Sequence, residues 1–271
     1  MTDQQDTLPA LISGQVDVTS GQLSSGMFNS ISRGGKLKLV ADKGYIDPKA
    51  CSNIATLARK DAPGLSGTPA ASELKGRKLI LVPGTWMEYY FEKLVAPLGL
   101  KVGDFQVSFI PSAAQVEALS KGAYDLVAQN EPWVTLLSDA GHRPILTPAS
   151  QLMPDSQSAV TLFGARLIGD NAEVGKRFML AYVKAVRKYD EGKLDSTVKT
   201  LNKYTKLDEA LLKRLCWPAL RGDGTLNMTS VMDFQAWAVG RKQSDAPLTE
   251  AQIYDPSFAQ YASDKLGKAP N

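Results

Sequence analysis

Cysteine and histidine, the two side chains that most often bind zinc, are scarce in this sequence. Its 271 residues include only two cysteines, Cys51 and Cys216, and one histidine, His142. These are too few for a structural zinc site with four cysteine and histidine ligands, and they form no Cys-x-x-Cys pair. The sequence therefore predicts no metal site. It leaves open whether the two cysteines form a disulfide or stay as buried thiols.

A large charge excess and long apolar runs are also absent. Lysine and arginine number 31 against 28 aspartates and glutamates, a net charge of +3. Nucleic-acid-binding domains concentrate cations on one face, so this mild excess predicts no nucleic-acid partner. No run approaches the ~18 apolar residues of a membrane-spanning helix. The start, Met1-Thr2-Asp3-Gln4-Gln5-Asp6, is polar and acidic, and no secretory signal is visible.

Motifs of the common catalytic sites are missing as well. The chain has no GxSxG, P-loop or HExxH motif. His142 stands in a Gly-His-Arg-Pro turn, where we expect a solvated side chain. No nucleophile, base and orienting group can be assembled from the remaining residues. The sequence therefore predicts no catalytic residues and no cofactor.

Strands and helices alternate through the middle of the chain. We predict strands at 78–82, 105–110, 124–128 and 144–146, with helices at 85–98, 112–121 and 132–140 between them. Parallel strands need crossover connections, so this alternation favours a parallel sheet in an α/β fold. A stretch rich in Pro, Gly and Ser at 61–72 indicates a linker or lobe boundary.

The last hundred residues are mostly helical in pattern. Apolar residues at helical spacing predict helices at 173–191, 195–204, 208–216, 229–241 and 257–266. We therefore divide the chain into residues 1–58 as the first part of lobe 1, 59–159 as lobe 2, and 160–271 as the mostly helical completion of lobe 1.

A short pattern of the form Ala-Leu-x-x-Gly-x-x-Asp-apolar occurs twice. It runs from Ala10 to Val18 and again from Ala118 to Leu126. In each copy a glycine ends a helix and a strand follows within two residues. The same order of elements continues downstream of both copies. The repeat predicts two similar lobes, with ligand sites at the carboxyl ends of their strands.

The two copies differ in what precedes them. A predicted strand, helix and strand stand before Ala118, whereas only nine residues stand before Ala10. If the lobes match, the first lacks a strand–helix–strand segment of about 35–45 residues. We therefore expect the chain to be truncated at its N-terminus, with any signal peptide lost in the same piece.

Four segments together resemble a known family. They are 8–18, the Pro83-Gly84-Thr85 turn that opens a helix, Asn130-Glu131-Pro132-Trp133, and Tyr254-Asp255-Pro256-Ser257-Phe258. In this order they resemble the solute-binding proteins of ABC importers. The group with the greatest similarity binds nitrate, sulfonates or taurine, and it shares its fold with thiamine-pyrimidine-precursor-binding proteins. The resemblance covers nearly the whole chain, apart from the family's first strand–helix–strand unit.

The resemblance implies a two-lobed, type 2 periplasmic-binding-protein-like fold. Two crossover strands, here 53–59 and 159–163, would form the hinge, and a C-terminal helical segment would pack on lobe 1. It also implies a periplasmic monomer that binds a small molecule between its lobes and delivers it to ABC permease subunits.

Two turns at predicted strand ends are candidate ligand sites. Gly84 and Thr85 precede a helix, whose free N–H groups and positive dipole end suit an anionic group. A plain capping role accounts for Thr85 equally well. Trp86 could cover a ligand beside this turn. Ser20 and Gly21 mark the corresponding strand end in lobe 1, where they form either a cleft wall or an ordinary turn.

A third candidate turn contains Asn130 and Glu131, which we expect to face the cleft. Glu131 could pair with a cationic ligand group or cap the following helix, and Trp133 could stack on a ligand or fill the lobe. The resemblance implies an interlobe site for a small anionic organic molecule, sulfonate-like or related. A cytoplasmic ligand sensor and a thiamine-pyrimidine-synthase-like enzyme are the alternatives, although the cysteine-rich motif and histidines of those enzymes have no match here.

Overall fold

The computed structural model describes residues 7–65 and 67–269. Its strands are β1 Val18–Gln22, β2 Leu37–Tyr45, β3 Ile54–Ala58, β4 Lys78–Ile80, β5 Gln106–Ser108, β6 Leu126–Asn130, β7 Arg143–Ile145 and β8 Gln157–Gly164. Its helices are α1 Thr7–Ile12, α2 Ser25–Ser32, α3 Ala71–Leu74, α4 Trp86–Val95, α5 Ser112–Ser120, α6 Trp133–Asp139, α7 Ala149–Leu152, α8 Ala165–Ile168, α9 Ala172–Asp190, α10 Asp195–Thr205, α11 Glu209–Arg214, α12 Met228–Gly240, α13 Glu250–Ile253 and α14 Ser257–Leu266.

The chain forms two compact units. Unit 1 consists of the residues up to Tyr45, Asp155–Lys213 and those from Ala219 onward. Unit 2 consists of Ile46–Pro154 and Arg214–Pro218. The chain therefore changes unit after Tyr45 and after Pro154, whereas the sequence analysis divided it after residues 58 and 159. The Pro- and Gly-rich stretch 61–72 lies inside unit 2, and the short passage Arg214–Pro218 had no sequence signal.

Unit 1 is built on a three-stranded sheet with the order β1-β8-β2. Both pairings are antiparallel, with Val18 opposite Phe163 and Leu39 opposite Leu162. The chain leaves unit 1 at the end of β2 and returns to it just before β8 begins. The central strand β8 therefore runs antiparallel to β2.

Helices α9 and α14 cover one face of this sheet and supply much of its core. Met179 and Val183 of α9 pack with Phe258 and Ala262 of α14 and with Phe163 of β8. All five predicted C-terminal helices are present, with ends within two residues of the predicted ones. The 3.6-residue apolar period is a local property of the chain, so it locates such helices well.

Unit 2 contains a five-stranded mixed sheet with the order β5-β4-β6-β3-β7. β4 runs parallel to β5 and β6, as the strand–helix alternation predicted. β3 runs antiparallel to β6 and β7, so the sheet is not parallel throughout. Leu57, Ile80, Val127 and the helical residues Leu119 and Leu137 form the core between this sheet and its helices.

The sequence repeat corresponds to a structural repeat. β1 and β6 have five residues each, and each has an antiparallel neighbour, β8 for β1 and β3 for β6. The preceding glycines, Gly14 and Gly122, have φ of 74° and 72°, the left-handed conformation expected at these helix ends. β6 has a second neighbour, β4, on its other side. Within residues 7–65 and 67–269, the sheet of unit 1 has no counterpart of β4 and β5.

The structure also corrects one turn that the sequence predicted. Ser20 and Gly21 lie inside β1, paired with Thr161 and Val160 of β8, and do not form a turn. The strand extends to Gln22 because β8 continues alongside it. Since β1 and β6 are equivalent, the unit 1 counterparts of Asn130 and Glu131 are Gln22 and Leu23.

Unit 2 is closed by a disulfide between Cys51 and Cys216. The sulfur atoms are 2.10 Å apart and the Cα atoms 5.8 Å apart. This resolves the two alternatives that the sequence left open for these cysteines. No helix within the described part of the chain is long and apolar enough to span a bilayer.

Candidate functional site

Three loops of unit 2 follow parallel strands and therefore lie at one edge of the sheet. Residues 81–85 follow β4, residues 109–111 follow β5, and Glu131 follows β6. The carboxyl ends of parallel strands are the usual position of ligand sites in α/β folds. The fold thus brings the predicted residues Gly84, Thr85, Asn130 and Glu131 to the same edge.

The turn before α4 is already occupied by side chains of this protein. The N–H of Gly84 donates a hydrogen bond of 2.7 Å to the buried carboxylate of Glu88, in the first turn of α4. The Thr85 hydroxyl donates to the Val82 carbonyl at 2.7 Å and makes no side-chain cap. Because Glu88 already places a negative charge at the positive end of α4, this end is poorly suited to a second anion.

Trp86 lies in the core of unit 2 with 0 % of its surface exposed. Its ring stacks on that of Tyr90, with centroids 5.8 Å apart and planes 3° from parallel. Tyr90, Phe91 and Leu94 of the same helix are buried as well. In this structure Trp86 therefore has no exposed ring face to cover a ligand.

Glu131 has a structural role that matches one of its two predicted alternatives. Its carboxylate accepts hydrogen bonds from the Thr135 N–H at 3.0 Å and the Thr135 hydroxyl at 2.8 Å, which caps α6. It also accepts one from the Cys216 N–H at 3.2 Å. Asn130 is half-buried at the end of β6, and its N–H donates to Gln129 Oε1 at 2.9 Å.

A polar network beside this edge was missed by sequence reasoning. Buried Gln129 donates through Nε2 to the Ser112 hydroxyl at 3.1 Å and to Gln115 Oε1 at 2.9 Å. Gln115 in turn donates to the Ile110 carbonyl at 3.0 Å. The network holds Ser112 at the start of α5. Its only sequence signal is a cluster of polar residues at a strand end and in the following helical turn.

Unit 1 offers the equivalent position at the start of α2. Ser24 is the N-cap residue of α2, makes no side-chain cap hydrogen bond, and precedes Ser25 and Gly26. Unlike α4, the first turn of α2 has no acidic residue. Two hydroxyls and a helix dipole suit an anionic group here. Sequence reasoning missed Ser24 because it ended the preceding strand too early.

The residues that the sequence placed in this region instead contribute to the sheet. The Ser20 hydroxyl is 3.0 Å from the Thr161 hydroxyl, across the pair β1 and β8. Gly21 is paired with Val160. Neither residue forms the predicted turn. Their strand, β1, ends at Gln22, and Ser24 follows at the start of α2.

The fold has many relatives among solved structures. The ligand-binding component of an ABC-type import system from Staphylococcus aureus, with zinc bound, matches 97% of this chain and 86% of its own, at 19% identity and a TM-score of 0.80. The aliphatic sulphonate-binding protein SsuA from Escherichia coli matches 93% and 79%, at 18% identity and a TM-score of 0.69. The nitrate-binding protein NrtA from Synechocystis PCC 6803 matches 97% and 78%, at 14% identity and a TM-score of 0.72.

The chain has the fold of these solute-binding proteins. No protein-family model and no curated protein matches its sequence. The desulfurization enzyme DSZB has the same fold, with 16% identity over 98% of this chain and a TM-score of 0.65. The solute-binding fold therefore accommodates both binding proteins and an enzyme.

Within this solute-binding fold, the described residues contain no cluster of three or more His, Cys, Asp or Glu side chains that could hold a metal ion.

His142 is 2 % exposed, so the expectation of a solvated side chain is wrong. Its Nδ1 accepts a hydrogen bond from the Lys60 N–H, and its Nε2 lies 3.3 Å from the Ser120 hydroxyl. Burial lowers the pKa of His142.

Proposed function

We propose that this protein is the extracytoplasmic solute-binding component of an ABC import system. The observation that carries the proposal is the match of 97% of the chain, at a TM-score of 0.80, to the ligand-binding component of such a system. The disulfide in unit 2 is consistent with an oxidising compartment such as the periplasm. The expected partners are the permease subunits of the importer.

The proposed ligand is a small anionic organic molecule, sulfonate-like or related. Ser24 and Ser25 at the start of α2 would bind the anionic group, because this helix end has no carboxylate of its own. Taken by itself, the edge of unit 2 around Thr85, Ser112 and Asn130 offers hydroxyl and amide groups to a ligand. Ligand binding would shift a conformational equilibrium by the extra contacts made in the bound form.

A thermal-shift series tests this function. The probes are methanesulfonate, hexanesulfonate, taurine, nitrate, small carboxylates and pyrimidine precursors. A one-site ligand at a hundred times its Kd adds about 2.7 kcal/mol of stability, so a true ligand raises the unfolding midpoint in a saturable way. A cooperatively folded protein whose midpoint is unchanged by every probe would rule the proposal out.

The enzyme alternative rests on the shared fold of DSZB. Within the described structure, both cysteines are joined in the disulfide and no free thiol remains as a nucleophile. The disulfide also argues against a cytoplasmic sensor, because the cytosol keeps most thiols reduced. Mass spectrometry of the protein mixed with its bound probe distinguishes the two functions. A transport component leaves the probe unchanged, whereas an enzyme converts it.

A further inference from the structure

A surface concavity of about 590 Å³ lies within unit 1, apart from the candidate functional site. Three stretches of chain line it: residues 35–38 at the start of β2, α8 with the turn that follows it, and Gln252 of α13. We call it the β2–α8 concavity. Its volume falls in the range of small-molecule pockets, about 300–1,000 Å³.

The β2–α8 concavity and the start of α2 are at opposite ends of the unit 1 sheet. Leu37, at the start of β2, pairs with Gly164 at the end of β8. Gln22, which leads into α2, pairs with Ala159, five residues earlier in β8. At about 3.3 Å per residue, these positions are roughly 16 Å apart along the strand. A molecule in the concavity therefore occupies a second site.

Cations outnumber carboxylates in the β2–α8 concavity. Among the described residues that line it, Lys36, Lys38 and Arg166 are cationic and Asp170 is acidic, which leaves a formal charge of +2. Asp17 lies outside the lining and pairs with Arg166 at 3.4 Å, but the Arg166 side chain is 65% exposed. Water screens such a pair and keeps it weak. The concavity is therefore suited to an anion.

Lys38 is held in place without a carboxylate. Its Nζ donates to the Ala251 and Gln252 carbonyls at 2.6 and 2.7 Å. An ammonium has three N–H donors, so one remains for a further acceptor. Glu250 and Asp255 line a neighbouring concavity that also includes Lys38, but neither forms an ion pair with it. The Lys38 charge is therefore positioned by carbonyls and not neutralised.

The other side of the charge balance is set by two tight turns. Lys36 makes no hydrogen bond or ion pair within the described part of the chain. Its backbone follows Gly35, where a Cβ would lie 2.5 Å from the Ser30 carbonyl oxygen. A Cβ at Gly169, after α8, would lie 2.9 Å from the Ala165 carbonyl oxygen. The close approaches fix both turns, so the lining is shaped before a ligand binds.

We propose that the β2–α8 concavity binds a small phosphorylated molecule, with Lys36, Lys38 and Arg166 around its phosphate. A phosphate monoester has a second pKa of about 6 and a charge near −2 at about pH 8, which matches the charge of the lining. A sulfonate or a carboxylate supplies only half of that charge. Ile31 and Ile168 of the lining offer apolar contacts to the rest of the molecule. This site is additional to the proposed solute site.

The test is residue-resolved hydrogen exchange with phenyl phosphate and with benzenesulfonate. The two probes share a ring and differ in charge at about pH 8. Low ionic strength is used because exposed charges are then least screened. Phenyl phosphate should slow exchange at residues 35–38 and 166–170 in a saturable way. Benzenesulfonate at the same concentration should leave these residues unchanged.

Titrating this protection gives the affinity of each variant. Lys36→Ala and Lys38→Met should each weaken phenyl phosphate binding by about tenfold, because hydrogen bonds to charged groups are the strong ones. Lys36→Ala removes no contact within the described structure, so its fold is retained. The matched control is Lys184→Ala, which removes an exposed lysine of α9 and should leave the affinity unchanged.

A lipid headgroup and a soluble metabolite can both supply a phosphate monoester. Co-sedimentation with phosphatidylcholine vesicles that contain phosphatidic acid, lost in Lys36→Ala, would identify a lipid phosphate. Binding of phenyl phosphate without binding to these vesicles would identify a soluble molecule. Both results support the phosphate site.

Two results would overturn the phosphate site. One is the absence of protection at residues 35–38 and 166–170 by phenyl phosphate, or equal protection by benzenesulfonate. The other is equal affinity of the wild type, Lys36→Ala and Lys184→Ala. The proposed function is tested separately, because a protein that is protected by a sulfonate at residues 23–27 and by no phosphate here keeps that function and loses this site.

Discussion

A carboxylate is buried in unit 1 with only 1 % of its residue surface exposed. Asp42 accepts hydrogen bonds from the Gly44 N–H, the Gln157 side-chain amide and the Arg221 N–H, at 3.0, 2.5 and 2.7 Å. These donors and the nearby Arg221 guanidinium favour the ionised form, but burial outweighs them and raises the pKa of Asp42 to about 6. Stability should therefore depend on pH through this residue.

The sign follows from the raised pKa. Between pH 4 and 6 the folded state holds a proton on Asp42 that the unfolded state has lost, so Asp42 lowers the free energy of unfolding as pH rises through this range. The full effect is about 3 kcal/mol for a pKa change of this size. Asp42→Asn should reduce, but not abolish, the difference in urea unfolding free energy between pH 4.5 and pH 7.5, because burial also raises the pKa of Asp190 to about 6.

The matched control is Asp233→Asn, which changes an exposed carboxylate on α12. This variant should keep the wild-type dependence on pH. An Asp42→Asn protein with the same dependence as the wild type would show that Asp42 is not the responsible group.

At the scale of single residues, the sequence predicted the role of a side chain better than its burial. It gave Glu131 as a possible cap, and the structure shows that cap. It could not show that Asp42 and His142 are buried, because burial depends on strands and loops far away in the chain. Ser24 was missed for a local reason, since the Ser- and Gly-rich segment 20–26 has no clear strand end.

At the scale of elements, the sequence predicted the helices well but did not predict how the strands pair. The helices α9 to α12 and α14 were predicted closely because an amphipathic period is contained in the helix itself. The directions of β3 and β8 were not predicted, because strand pairing depends on where the chain returns to a sheet. The repeat was the only sequence feature that indicated two similar units, and it predicted the order of their elements correctly.

The contact between α9 and α14 depends on a glycine. A Cβ atom at Gly175 of α9 would lie 2.7 Å from Phe258 Cε1 and 3.0 Å from the Leu167 carbonyl oxygen. Because both neighbours are in the packed core, Gly175→Ala should destabilise the protein by about 1–3 kcal/mol, measured by urea unfolding.

Gly240→Ala, at the end of α12, is the control for this prediction. A Cβ there has no atom within 4 Å, so the higher helix propensity of alanine should leave stability unchanged or raise it by up to about 1 kcal/mol. If both variants had equal stability, the close approach of α9 and α14 would not limit the residue at Gly175.

At the scale of the whole molecule, the disulfide closes a very long loop. Cys51 and Cys216 are separated by 165 positions, and the chain between them passes through both units. Cross-links of this kind stabilise mainly by restricting the unfolded chain, typically by about 2–5 kcal/mol. Cys51→Ala/Cys216→Ala should therefore lower the unfolding free energy by this amount.

Dithiothreitol provides the control for the disulfide. It should destabilise the wild type to a similar extent and have no effect on the double alanine variant. Equal stability of the oxidised wild type and the double variant would contradict the stabilising role of the bond.

The two-unit organisation could be predicted from the sequence because the repeat lies within continuous segments. The assignment of the passage Arg214–Pro218 to unit 2 could not be predicted, because five residues carry no period and the passage is held by the disulfide and by Glu131. The same limit applies to the site, because the sequence identified turns at strand ends but not which helix ends already hold a carboxylate.

In the proposed function, the start of α2 in unit 1 binds the anionic group of a small organic molecule. The most direct test is hydrogen exchange with and without the probe that raises the unfolding midpoint most. Exchange should slow at residues 23–27, at the start of α2 in unit 1. Protection confined to another surface, such as the concavity beside Lys36, Lys38 and Arg166, or no stabilising probe at all, would contradict it.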